Sequence, residues 1–512
     1  MRKELAALSR ETLIYGVSTV VGRFLNFLLV PFYVNVLHST SEYGISSVLY
    51  TWIAFLNVIY PLGLEGAYFR YASKAEGEAG EFEKERTLFS GSFNAILIFA
   101  GLLSVLFLLL APVVAPPLFF DPKQDIGPML PMLTRIIRYS AFILLFDSLT
   151  VLPFADLRLE HKAKRFAAIR LTTIVVTIIL NFVLILQFKM GVEGMFVANL
   201  FASAMQFVFL APTIISKWKP QLSKRSLEKM LPFGLTNVPA YLGAMMVQVI
   251  DRPIVQLYLG LGAVGIYQAN YRMGFIMMVF VSLFEYAWRP FFMRQYKTDE
   301  AKARLLFARI LTYFLLVCGV AFIALSFFLP YVLSTPIFGR RLLRSDYLSG
   351  MSIIPVVLFA YIFQGLYTNF IAGIYIKERN KVLPFITALG AGVNIIVNIL
   401  LIPQLGIMGA ALATLAAYIA MAIAIYIPSQ KAFPVPYEWK RIGLLAFDIG
   451  IIYTIERFIA LNQIIVSSEG LMGLRLFLLA AAIGGLFLFG FFSERERMFL
   501  RQLTAKFGFS KG

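Results

Sequence analysis

Positive charge in this chain falls almost entirely in every second gap between long apolar stretches, and this alternation constrains the fold more than any motif does. Apolar runs lie near 12–37, 44–69, 88–113, 135–156, 167–187, 194–216, 230–258, 265–289, 305–333, 350–376, 383–403, 408–428, 442–461 and 473–492. An α-helix needs roughly 20 residues, at about 1.5 Å each, to cross a hydrocarbon core of about 30 Å, and each run is long enough. With the N-terminus placed in the cytoplasm, the inner gaps hold about 32 Lys and Arg residues. The outer gaps hold about seven: Lys123, Arg135, Arg138, Lys189, Arg340, Arg341 and Arg344. Such an excess marks the cytoplasmic side. The expectation is an all-α polytopic protein of the bacterial inner membrane, with about fourteen transmembrane helices and both termini cytoplasmic.

Topology also accounts for the net charge of +18, which in a soluble chain would suggest nucleic acid. Lys162, Lys164 and Arg165, or Lys217, Lys219, Lys224, Arg225 and Lys229, flank spans. They read as topogenic charges that also meet anionic lipid, so membrane lipids are expected partners and nucleic acid is not. The single cysteine, Cys318, lies inside the ninth span, which excludes an intramolecular disulfide and suggests an inert core thiol. The first apolar stretch is too long for a signal-peptide h-region and is read as span one. The longest gaps, near 114–134 and 334–349, leave no room for a soluble domain, so function must reside in the membrane or at its edges. His38 and His161 fall in loops on opposite sides and make no metal site. A phosphate-binding Gly-x-x-x-x-Gly-Lys-Ser/Thr loop is missing.

Two halves repeat along the chain. Gly191-Val192-Glu193-Gly194 opens span six after a very short outer turn, and Gly406-Ile407-Met408-Gly409 opens span twelve in the same way. Span one carries Pro31 and leads through Glu42-Tyr43-Gly44 into span two; span seven carries Pro253 and leads through Ala263-Val264-Gly265 into span eight. This pattern predicts an N-terminal half over 1–216, a cytoplasmic connector over 217–229, and a C-terminal half over 230–430 related to the first by an axis along the membrane normal. Spans 13 and 14, over 431–493, are an appendage. The tail over 494–512, with Arg495, Arg497, Arg501 and Lys506 between Phe499, Leu500, Leu503 and Phe507, reads as a basic interfacial segment. Prolines inside spans (Pro31, Pro61, Pro153, Pro239, Pro253 and Pro355) predict kinks.

Ionisable groups within spans are the candidate functional residues. A charge at the centre of a membrane helix costs roughly 2.5–3.5 kcal/mol on insertion scales, so such residues face water or a partner. Arg23 lies near the middle of span one, Arg252 beside Asp251 in span seven, and Arg272 in span eight. Gln248, Arg252 and Gln256 at i, i+4 and i+8 predict one polar stripe; Gln268 with Arg272 and Arg23 with Asn26 extend it on neighbouring helices. Asp251 and Arg252 are adjacent, about 100° apart on a helix, which predicts that they do not pair with each other. Asp251, Asp147 and Glu65 are candidate counter-ions or coupling groups. The alternative is structural, with the arginines paired to Asp147, Asp251, Glu65 or Glu285 and Arg272 snorkelling to headgroups. Guanidinium groups suit phosphate oxygens bidentately and stay charged at any working pH, so a basic interior implies an anionic passenger such as a diphosphate. Tyr258, Tyr267 and Tyr271 are expected at the outer interface as part of an aromatic belt.

Several stretches resemble a known family. They are Leu13-Ile14-Tyr15-Gly16, Gly22-Arg23-Phe24-Leu25-Asn26-Phe27, Pro31-Phe32-Tyr33, Glu42-Tyr43-Gly44, Leu64-Glu65-Gly66-Ala67-Tyr68-Phe69-Arg70, Val264-Gly265-Ile266-Tyr267 and Gly406-Ile407-Met408-Gly409-Ala410-Ala411. Together they resemble the multidrug/oligosaccharidyl-lipid/polysaccharide (MOP) exporter superfamily, in its polysaccharide-biosynthesis (O-antigen-type oligosaccharide) flippase branch. The resemblance implies two six-helix lobes in a V around a central cavity, plus two C-terminal helices. It implies a lipid-linked oligosaccharide as passenger, with Arg23 and Arg252 on helices that line the cavity for the diphosphate. It also implies no cofactor, leaves H+ or Na+ coupling open, and suggests polysaccharide assembly proteins as partners. An ion-coupled multidrug exporter of the same superfamily, or a lipid-II-type flippase, is the alternative. An enzyme is not expected, because no sizeable outer loop is present to carry catalytic residues.

Overall fold

The computed structural model describes residues 21–22, 25, 27–75, 81–220, 224–337, 340–464, 467–494 and 496–498. Arg23, Asn26 and the tail residues Arg495, Phe499, Leu500, Arg501, Leu503, Lys506 and Phe507 lie outside them. The helices are α1 (Phe27–Val36), α2 (Thr40–Ile59), α3 (Leu64–Ala75), α4 (Glu81–Leu118), α5 (Leu130–Leu159), α6 (Ala163–Phe182), α7 (Gly191–Lys217) and α8 (Lys224–Val249). They continue with α9 (Asp251–Leu259), α10 (Leu261–Thr298), α11 (Glu300–Ser334), α12 (Ile354–Ile376), α13 (Leu383–Leu405), α14 (Ile407–Ala432), α15 (Trp439–Leu461) and α16 (Ser468–Leu488). Among the described residues the only strands are β1 (Pro336–Ile337) and β2 (Arg340–Arg341), of two residues each. The protein is all-α.

Twelve helical segments among the described residues are long and apolar enough to cross a membrane. Spans one and thirteen of the sequence reading are the two not among them, for reasons that can be named. The described part of the first helix is short, and α15, at 23 residues, carries Asp448, Glu456 and Arg457. About fourteen spans is therefore consistent with the helix inventory.

Two of the prolines mark interruptions. The chain turns at 60–63, around Pro61, between α2 and α3, and again at Ile250, three residues before Pro253, between α8 and α9. Proline has no amide hydrogen to donate to the carbonyl four residues back, and its ring crowds that carbonyl, so the ladder fails there. Pro153 and Pro239 stay inside continuous helices.

The helices group into two compact units. Unit 1 comprises Met1–Phe275, Phe338–Val357 and Lys381–Met421, and so draws on both expected halves. Within it α4 packs along α5, and α5 along α7. Tyr60, Tyr68, Phe89, Phe119 and Phe196 are fully buried there. Unit 2 comprises Ile276–Ile337, Leu358–Asn380 and Ala422–Gly512. It is built on Trp288, whose indole lies 5.0 Å from Phe307 and 5.5 Å from Phe292, both buried, with Phe433 and Ala372 in the same cluster.

A buried ionic centre ties four helices of unit 1. Lys217 Nζ, at the end of α7, lies 2.6 Å from Asp156 Oδ1, 3.0 Å from Glu160 Oε1 and 3.2 Å from Glu85 Oε1. The Tyr68 hydroxyl, from α3, donates to Asp156 Oδ1 at 2.7 Å. Three carboxylates thus use the three ammonium donors. Although burial works against it, Lys162 and Lys217 hold the Glu160 carboxyl below its usual value. The chain leaving α7 is fixed as well: Ser90 Oγ donates to the Lys217 carbonyl, and the Trp218 indole donates to Asn94 Oδ1 at 2.8 Å. Lys217, read from sequence as a charge flanking a span, is only 4% exposed. Its acids come from helices distant in sequence.

Candidate functional site

The interruption at Ile250 organises the polar residues of span seven. Arg252, in the first turn of α9, folds back over the break. Its Nη1 donates to the carbonyl of Gln248 and lies 3.0 Å from Asp251 Oδ1, and its Nε donates to Gln268 Oε1 of α10 at 2.8 Å. The guanidinium sits 5.2 Å from the ring centre of Tyr271. The other oxygen of Asp251 accepts from the Tyr267 hydroxyl. Asp251 is 2% exposed and Arg252 6%.

This corrects two expectations. Asp251 and Arg252 do pair: both lie in the first turn of α9, and the long Arg252 side chain folds back over the turn at Ile250, which brings Nη1 to the Gln248 carbonyl and to Asp251 Oδ1 together. Tyr267 and Tyr271 are not interface residues: both are buried, bound to this pair, whereas Tyr258 is exposed. The i, i+4, i+8 stripe also divides. The Gln248 side chain is exposed, while Gln256 is buried and its amide donates to the carbonyls of Leu118 at 3.0 Å and Phe120 at 2.9 Å. Gln256 thereby holds the end of α4. Asp121 works beside it, accepting from the Leu261 amide at 2.7 Å.

Asp147 of α5 is not a partner of Arg252. It accepts from Ser203 at 2.7 Å, bonds with Asn57, and feels the charge of Arg170. Glu65 forms an ion pair with Arg158. Since Asp251 is the acid that neutralises Arg252, Arg252→Ala is expected to leave a buried carboxylate unpaired and to cost about 3–5 kcal/mol of stability. Adding Asp251→Asn should recover most of it, whereas adding Asp147→Ala should not. Detergent-stable protein, measured by size-exclusion chromatography, checks this ordering.

Among the described residues, Arg272 and Arg170 are two span arginines without an ion pair. Arg272 is half-buried, no ion pair or hydrogen bond ties it to another described residue, and its charge acts on the hydroxyls of Tyr33, Tyr43 and Tyr50 of α1 and α2. Arg170 of α6 is exposed, packs at 4.2 Å from the ring centre of Phe154, and faces Asp147 and Glu65 without an ion pair. The sequence reading singled out three span arginines and passed over Arg170, which lies only a few residues inside span five. The signal was its place within an apolar run, the same signal that found Arg252.

Residues 37–341 match the family described as "Polysaccharide biosynthesis protein". An uncharacterized membrane protein of Methanocaldococcus jannaschii is 22% identical over 435 residues, covering 80% of this chain and 83% of its own. Among solved structures, the lipid II flippase MurJ in an inward closed conformation superposes with a TM-score of 0.70 at 15% identity, over 94% of this chain and 98% of that one. An inward-facing multidrug resistance MATE family transporter of the MOP superfamily superposes with a TM-score of 0.58 at 15% identity, over 80% of this chain and 94% of that one. These likenesses establish the fold, and the match over more than half of the chain establishes the family. The chain, with twelve described helices long and apolar enough to cross a membrane, shares its fold with these two proteins and belongs to the polysaccharide biosynthesis protein family.

Proposed function

We propose that this protein is a transporter of the MOP superfamily that flips polyprenyl-diphosphate-linked oligosaccharide, a precursor of cell-surface polysaccharide, from the cytoplasmic to the outer leaflet of the plasma membrane by alternating access. The observation that carries the reading is Arg272, a half-buried guanidinium within a span that no described acid neutralises. An unneutralised cation in a membrane helix is costly unless water or an anion reaches it. A diphosphate supplies two anionic groups whose oxygens match the guanidinium fork. Tyr33, Tyr43 and Tyr50 stand near it as hydroxyl donors. Arg170 provides a second station on α6. The family, and the likeness to a flippase fold over nearly the whole chain, support the same class of passenger.

The charge pattern supports cytoplasmic termini, and the matching turns at Gly191 and Gly406 support two related six-helix halves with an appended C-terminal pair. The passenger's sugars select among polysaccharide assembly proteins as partners. The test is reconstitution with a fluorescent polyprenyl-diphosphate sugar, following its exposure in each leaflet. Arg272→Ala is expected to lower the flipping rate at least about tenfold, equivalent to about 1.4 kcal/mol, with normal membrane abundance. Arg272→Lys should recover part, because a point charge replaces the fork. Movement of cationic dyes, with no movement of any diphosphate lipid, would replace this reading by that of a multidrug exporter.

A further inference from the structure

We propose that Asp448, at the interface of α15 and α16, is a proton-binding site, holding a neutral carboxyl group within the membrane and exchanging its proton as the transporter cycles. The coupling role rests on the transport reading above; the proton site itself does not. Asp448 lies nine residues beyond Trp439, the start of α15, roughly 14 Å along the helix at 1.5 Å per residue. It is only 6% exposed. Its carboxyl enters space vacated by a missing side chain, since a Cβ on Gly485 of α16 would lie 2.5 Å from Asp448 Oδ1. Its Oδ2 is buried without a hydrogen-bond partner.

The same helix pair shows how it treats an acid that stays ionised. Glu456, two turns further along α15 and 2% exposed, is met by Arg475 of α16, with Nε 2.7 Å from Oε1. Among the described residues Asp448 has no such cation. Arg441 is held by Glu438 and Glu496, at 3.1 and 3.0 Å, and Arg457 donates to the Tyr453 hydroxyl. Glu469 of α16 lies in its first turn. From α11, which also packs on α15, Arg304 is bound to Glu300, Arg309 is exposed, Tyr313 donates to Glu496 and Cys318 is buried. None of these groups forms an ion pair or hydrogen bond with Asp448. A buried carboxylate with neither cation nor donor is untenable, so neutralisation falls to a proton.

The experiment treats the full-length protein in lipid vesicles with dicyclohexylcarbodiimide, which adds to protonated carboxyl groups in apolar surroundings. Peptide mass spectrometry then locates the adduct, and flipping is followed separately with and without a pH gradient. The expected result is an adduct on Asp448 that weakens as pH rises, with none on Glu456. Asp448→Asn should keep normal abundance, lose the adduct, and lose the gradient-driven part of flipping. An Asp448 that stays unmodified from acid to alkaline pH would overturn the proton site. An unchanged gradient response in Asp448→Asn would overturn the coupling role. Labelling of Asp448 in a protein that flips no diphosphate lipid would sink the transport reading while leaving the site standing.

Discussion

Lys217→Ala should deplete the folded protein from the membrane more severely than any other single change at a charged residue. The substitution leaves Asp156, Glu85 and Glu160 at the ends of α5 and α4 with only Lys162, which pairs with Glu160 at 2.7 Å, and strips Asp156 and Glu85 of their cation. Asp156 is 0% exposed, so water cannot replace the ammonium. Removing one partner of a buried ionic group typically costs about 3–5 kcal/mol, a large share of the roughly 5–15 kcal/mol that separates folded from unfolded proteins. Lys219 provides the contrast two residues on: its pair with Glu83 is 3.0 Å long but 38% and 62% exposed, and such pairs contribute about 0–1 kcal/mol. Lys219→Ala should therefore be nearly silent. Combining Lys217→Ala with Asp156→Asn should recover part of the loss, since one of the stranded charges disappears. Thermal melting of the purified variants checks the order: wild type and Lys219→Ala together, the double variant between, Lys217→Ala lowest. If Lys217→Ala melted with the wild type, the ionic centre would contribute nothing to the bundle.

Local sequence could not have separated Lys217 from Lys219. Both flank span six in a basic connector, and the difference lies in partners 61 and 132 positions away, at Asp156 and Glu85. The spans themselves were legible because hydropathy depends on nearby residues alone. The breaks at Pro61 and Pro253 were legible for the same reason. What misled was extending helical periodicity through Pro253. The stripe of Gln248, Arg252 and Gln256 presumes an unbroken helix, and the turn at Ile250 sends the three side chains to different tasks. Burial of Tyr267 and Tyr271 followed from that same break, since Asp251 and Arg252 needed neighbours on α10. Arg23, the first arginine of the spans, lies outside the described residues.

Alanine at Gly44 or Gly265 should destabilise the protein and suppress flipping, although alanine normally favours a helix over glycine by about 1 kcal/mol. A Cβ at Gly44 of α2 would lie 1.9 Å from the Leu261 carbonyl oxygen, and one at Gly265 of α10 would lie 2.0 Å from the Thr40 carbonyl oxygen. Both obstacles are backbone atoms, so no side-chain rotation relieves them and the helices must move apart. Overpacking of this kind typically costs about 1–3 kcal/mol. The contact is reciprocal: Leu261 precedes Gly265 as Thr40 precedes Gly44, and both matched positions differ by 221 (265 − 44 and 261 − 40). Contacts in which i meets j and j meets i arise across two-fold axes, which supports treating α2 and α10 as repeat-equivalent helices. Under alternating access the crossing would have to close and part in every cycle, so a wedge there should hold it open. Gly443 and Gly392 are the controls, because nothing lies within 4 Å of a Cβ at either. Alanine there should be neutral or stabilising. The measurements are melting temperature, flipping rate, and thiol labelling of Ser47→Cys, a buried α2 position near the crossing, in a Cys318→Ser background. Labelling should rise with Gly44→Ala and Gly265→Ala and stay at background with the controls. A Gly44→Ala protein that melts, labels and flips as the wild type does would show that α2 and α10 part freely without cost, and the crossing would be incidental packing rather than a closing contact.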